Sequence, residues 1–114
     1  MQITHRTQNN VDIIDFAGKL VMGDPVTEAR KKLLEVVEAG EGQVVLNLAD
    51  VTFMDSSGLS VLVSALKATR TKNGDVVLLN LTVPVHSLIK LTRLQQVFKI
   101  FESEAAAIDS FKEQ

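Results

Sequence analysis

Apolar residues follow two different periods along this chain, and each change of period marks a new element. Gln2 to Thr7 alternates weakly and reads as an edge strand. Gln8-Asn9-Asn10 is a turn signal, and Val11 to Ala17, carrying Val11, Ile13, Ile14 and Phe16, reads as a second strand hairpinned to the first. Gly18 is expected to end that strand. Asp24-Pro25 reads as a helix start, with Asp24 as cap and Pro25 in the first helical position. Val26, Ala29, Leu33, Val36 and Val37 then recur at helical spacing, until Gly40 and Gly42 stop the helix.

The next run, Val44 to Leu48, is continuously apolar except for Asn47, as expected of a strand covered on both faces. An exit loop is expected after it. Leu59 to Leu66 is apolar almost all round and predicts a buried helix, which turns polar from Lys67 to Lys72 and stops at Asn73-Gly74. Val76 to Leu81 reads as the fourth strand. Pro84 opens a short helix with Val85, Leu88, Ile89 and Leu91 inward, and Val97 to Phe101 reads as a fifth strand. Ser103 is placed to cap a last helix bearing Ala106, Ile108 and Phe111, with Glu102 and Glu104 near its favourable end.

The resulting order is β-β-α-β-α-β-α-β-α. Strands alternating with helices imply an α/β fold: a mostly parallel central sheet, an antiparallel N-terminal edge hairpin and about four helices. With 114 residues the chain has material for one core, so one domain over 1–114 is expected.

Composition narrows the function. The formal net charge is -2, so the chain lacks the basic excess of a nucleic-acid binder, and with five Phe, no Trp and no Tyr it has no evident base-stacking platform. The basic cluster Arg30-Lys31-Lys32 shares its helix with Glu35 and reads as a solvated face. There is no cysteine, which removes thiol catalysis, disulfides and cysteine-held metals. Met1 to Arg6 has no apolar signal region, and no apolar run is long enough to cross a bilayer. A cytoplasmic protein without membrane insertion is the expectation.

Catalytic patterns are missing as well. His5 and His86 stand in no motif and read as exposed polar positions. The Gly-x-Ser-x-Gly elbow fails, because Met54 and Asp55 precede Ser56 and Ser57 by two residues. No phosphate-binding loop and no metal-ligand spacing is present. The expected protein is not an enzyme and carries no cofactor.

Asp55-Ser56-Ser57-Gly58-Leu59 is the segment that remains. It falls where a strand hands over to a helix, and a helix N-terminus offers free N–H groups and the positive end of the helix dipole, which tolerate a phosphate. One serine suffices for a cap, and Asp55 is also able to cap, so the second hydroxyl needs no structural reason; Ser56 is read as a functional hydroxyl and Ser57 as cap or support. Gly58 permits either close backbone approach or flexibility.

Phe53-Met54-Asp55-Ser56-Ser57-Gly58-Leu59 resembles the motif of the STAS domain family, specifically its stand-alone anti-sigma factor antagonists. Val44 to Val51, Lys72 to Val76 and Leu88 to Leu94 resemble other segments of that family, so the likeness spans nearly the whole chain. The resemblance implies a phosphorylation switch. An anti-sigma factor that is also a serine kinase would modify Ser56, with Ser57 as the alternative acceptor, and a serine phosphatase would reverse it. The unmodified protein, a monomer when free, would bind the anti-sigma factor through Asp55, Ser56, Ser57, Gly58, Leu59 and Asp24. ATP and magnesium would belong to the kinase. One departure stands out: the family often shows Gly-Glu-Leu-Asp after its second strand, where this chain has Gly18-Lys19-Leu20-Val21. Other members of the family imply two alternatives, a non-switching subunit of a lipid-transport ATPase complex and a signalling scaffold.

Overall fold

In the computed structural model, which describes residues 1–112, Asn9 and Asn10 hold φ of 53° and 65° and fold strand β1 (Gln2–Gln8) back onto β2 (Val11–Leu20). Positive φ at both central residues gives a turn whose twist matches that of the paired strands. The chain continues through helix α1 (Asp24–Ala39), β3 (Gln43–Met54), α2 (Ser56–Arg70), β4 (Asp75–Leu79) and α3 (Val83–Leu91). A 3-10 turn (Leu94–Gln96), β5 (Lys99–Phe101) and α4 (Glu104–Asp109) complete it. Residues 113–114, which the expected domain includes, lie outside the described residues.

The sheet order is β1-β2-β3-β4-β5, antiparallel between β1 and β2 and parallel elsewhere. This is the α/β fold expected, with its four helices and its antiparallel edge hairpin. Alternation sends Ile14, Phe16, Val44, Leu46, Val76 and Leu78 to one face, where α1, α2 and α3 cover them. Val11, Ile13, Val45, Val77 and Leu79 face the other way, onto Ala107, Ile108 and Phe111 at the C-terminal end. Both faces of the central strands are therefore covered, as parallel sheets require. The helix α2 buries more of its residues than α1, α3 or α4. It is not apolar all round, however: Ser56, Ser60 and Lys67 form an exposed polar stripe.

Several boundaries differ from those read in the sequence. Gly18 does not end β2, which runs on to Leu20. The expected exit loop after Leu48 is instead the second half of β3, still paired with β2. Its register shows why it looked irregular. Asp15 pairs with Asn47 but Ala17 with Asp50, and Gly18 pairs with Val51 but Lys19 with Phe53. Each step inserts one extra residue into β3, so Leu48, Val51 and Met54 are buried at intervals of three rather than two. Such bulges bend a strand and re-aim its end.

Other differences are smaller. The strand β4 stops at Leu79, because Asn80 takes a positive φ of 56°. Leu91 is 82% exposed rather than inward, and Val97 belongs to the turn before β5. In α4 it is Ala107, not Ala106, that is buried, while Ser103 caps the helix through the Ala106 N–H as expected. The cap of α1 is Gly23, at φ 112°, so Asp24 is the first helical residue and not the cap.

Candidate functional site

The site forms where the bulged end of β3 passes directly into α2. Asp55 has extended backbone (φ -102°, ψ -174°) and caps the helix: its Oδ1 accepts the Gly58 N–H at 2.9 Å. The other oxygen, Oδ2, accepts the backbone N–H of Met22 at 3.0 Å. The Asp55 N–H in turn donates to the Leu20 carbonyl at 3.4 Å. One residue thus ties the end of β2, the loop leading to α1 and the first turn of α2. These bonds hold the Asp55 carboxyl below the usual carboxylate range, Met22 contributing most and Gly58 next, against a smaller opposing effect of desolvation.

With Asp55 as cap, Ser56 and Ser57 become the first two residues of the helix. The Ser56 side chain is exposed and has no hydrogen-bond partner among the described residues. Ser57 is half-buried, and its hydroxyl does not cap the helix as expected; the carboxylate has taken that place. Its carbonyl accepts the Ser60 hydroxyl at 2.6 Å.

Gly58 is a close-approach glycine. A Cβ there would stand 2.3 Å from the Leu20 carbonyl oxygen and 2.8 Å from Met54 Cγ. Its lack of a side chain lets α2 start against the end of β2. Leu59, 7% exposed, packs into the core. Gly58 and Leu59, both expected as partner contacts, are buried and position the helix from beneath. The exposed part of the motif is Ser56, with Asp55 and Ser57 beside it.

Asp24 is exposed and opens α1 two residues after Met22, so it borders the loop that Asp55 fastens. Lys19, at the usual Glu position, is exposed and pairs with Phe53; Val21, at the usual Asp position, is half-buried. The exposed face expected for Arg30 and Lys31 is present, and Arg30 reaches across to α2, donating from Nη2 to Ser60 Oγ at 3.2 Å.

Sequence reasoning missed Met22 and Phe53. Met22 is 75% exposed and Phe53 49%, and both adjoin Asp55, one through a hydrogen bond and the other along the chain. Exposed apolar side chains beside an exposed serine form a surface suited to a protein partner. Nothing in their sequence pattern separates them from core residues.

A hollow of about 740 Å³ lies elsewhere, past the end of β4 and beside β3 and β5, lined by Ala49, Asn80, Thr82, His86 and Phe101 among others. None of the motif residues lines it. Among the described residues no group of three or more His, Cys, Asp or Glu is arranged to hold a metal ion. None of their helices is long and apolar enough to cross a membrane.

The STAS domain family model matches residues 2–107. This chain belongs to the STAS domain family. An anti-sigma-B factor antagonist from Listeria monocytogenes is 33% identical over 102 residues, covering 88% of this chain and 86% of that protein. The STAS fold is equally clear in solved structures. The anti-sigma factor antagonist SpoIIAA in its unphosphorylated form matches with a TM-score of 0.84 at 21% identity, over 99% of this chain and 98% of that one. The phosphorylated form of SpoIIAA, described as a Bacillus cell fate determinant, matches with a TM-score of 0.76 at 20% identity, over 96% and 99%.

Proposed function

We propose that this STAS domain is an anti-sigma factor antagonist switched by phosphorylation of Ser56. The observation that carries the reading is the Ser56 hydroxyl itself, exposed and unpartnered at the first position of α2, next to a carboxylate already committed to backbone donors. The anti-sigma factor antagonist name of the Listeria relative supports the role. The two forms of SpoIIAA support a switch.

In this reading the unmodified protein binds an anti-sigma factor that is also a serine kinase, through Ser56 and its surroundings, and so frees a sigma factor. The kinase moves the γ-phosphoryl group of ATP to Ser56 Oγ; the hydroxyl proton is released and ADP leaves. ATP and magnesium stay with the kinase, and this chain contributes no catalytic group and no cofactor. The new group carries about -1.5 to -2 charges at pH 7. At the start of α2 it meets free N–H donors and a favourable dipole, so the fold survives. At the centre of an interface the same charge must be desolvated or displaced, and an unpaired buried charge costs several kcal/mol. Phosphorylation therefore acts on the partner, and a serine phosphatase restores binding. The protein works in the cytoplasm, as a monomer when free, without touching nucleic acid.

The test starts from the partner retained by this protein in a pulldown from its native cell. Incubation with that kinase and ATP, followed by peptide mapping, is expected to place phosphate on Ser56, and Ser56→Ala to remove most of the incorporation. Phosphate found only on Ser57 or elsewhere contradicts the assignment.

A further inference from the structure

The exposed stripe of α2 is engaged by a cation from the neighbouring helix. Arg30 of α1 donates from Nη2 to Ser60 Oγ at 3.2 Å, and that hydroxyl donates onward to the Ser57 carbonyl at 2.6 Å. Ser60 lies one helical turn after Ser56. Residues four apart share a helix face, with Cβ atoms about 5–6 Å apart, and helical side chains lean toward the N-terminus. Arg30 thus contacts, at Ser60, the helix face that Ser56 shares by its spacing.

Arg30 is also under-used. A guanidinium has about five N–H donors, and among the described residues Arg30 makes a side-chain hydrogen bond only to Ser60. Among the described residues no carboxylate lies within ion-pair distance of it. The nearest acid along α2, Asp55, accepts from Met22 and Gly58. A neutral hydroxyl is a weak acceptor for a guanidinium, whereas a phosphate offers charged oxygens that it can take two at a time, in bonds about twice as strong.

We propose that Arg30 is the internal ligand of phosphorylated Ser56, leaving the Ser60 hydroxyl to pair with the phosphoryl oxygens. This rests on Ser56 as the phosphoacceptor. It adds that phosphorylation replaces the neutral Arg30–Ser60 bond between α1 and α2 with an ionic bridge between the same helices. The Arg30 side chain is flexible and exposed, so the exchange needs only rotamer changes. A partner approaching phosphorylated protein then meets a fixed phosphate–guanidinium pair in place of a mobile serine.

The experiment installs phosphoserine at position 56 during protein synthesis, with no kinase, and follows the phosphate by phosphorus NMR as pH is varied. A guanidinium in contact favours the dianion, so the second phosphate pKa is expected to lie about half a unit lower in the otherwise native protein than with Arg30→Ala. Arg30→Lys is expected to fall between them, since the charge remains but the fork does not. Ser60→Ala, which removes only the resting partner, is expected to keep the full shift. Coincident titration curves for native and Arg30→Ala proteins overturn the proposal, as does loss of the shift in Ser60→Ala. Whether a kinase uses Ser56 is read separately by peptide mapping, so the two ideas fail by different results.

Discussion

The Asp55 carboxylate and the Met22 backbone N–H, 33 residues apart in sequence, meet at 3.0 Å. This bond fastens the loop before α1 to the residue that starts α2. It brings the backbone of Met22, whose side chain is 75% exposed, to the residue that precedes Ser56. Helix cap and loop anchor both depend on one side chain.

Asp55→Ala is expected to lower stability by about 1–2 kcal/mol, from loss of the helix cap and of the Met22 bond. Chemical denaturation with circular dichroism measures it. Hydrogen exchange at the Met22 and Gly58 amides is expected to quicken in the same variant. Unchanged stability and protection contradict the clasp.

Gly58→Ala is expected to cost about 1–3 kcal/mol, since the new methyl would meet the Leu20 carbonyl, which cannot swing aside as a side chain could. A melting temperature equal to that of the native protein shows that α2 does not start against β2 as described.

An ionic cluster on the edge hairpin bears on acid stability. Arg6 pairs with Asp15 at 2.9 Å and with Glu104 in α4, tying the last helix to the edge hairpin. The Arg6 bonds hold both carboxyls below their usual range, and the two carboxylates hold the guanidinium charged. A carboxyl with a depressed folded pKa stabilises fully above its unfolded pKa, and that stabilisation is lost as pH falls through the folded value. Stability is therefore expected to decline below about pH 4. Arg6→Ala is expected to lower stability at pH 7 by less than about 1 kcal/mol, because the cluster is part-exposed. It is also expected to flatten the acid decline. Parallel pH profiles for variant and native protein contradict this.

Order and type of the elements were legible because most carry a clear apolar period and are set apart by Gly, Asn, Asp or Pro. The second half of β3 was not. Two bulges break its period, and a strand with buried residues three apart looks like a loop in sequence. Gly18 reads as a stop, but at φ 119° it still pairs with Val51 in the sheet. The site motif was legible because Asp55 to Leu59 is contiguous and falls at a strand–helix junction. The division of labour within it was not: Asp55 and both serines are all good caps, and only the fold shows that the carboxylate takes the role. Met22 and Arg30 reach the site from 33 and 30 residues away along the sequence. Tertiary structure places them, and no local pattern marks them.

In the proposed switch a phosphate on Ser56 blocks partner binding while leaving the fold intact. Calorimetric titration of the anti-sigma partner into unmodified protein and into protein phosphorylated at Ser56, with circular dichroism on both, tests it most directly. Near-identical spectra and melting are expected, with affinity for the partner reduced more than a hundredfold on phosphorylation, a loss of about 3 kcal/mol. Equal affinity for the two forms would contradict it.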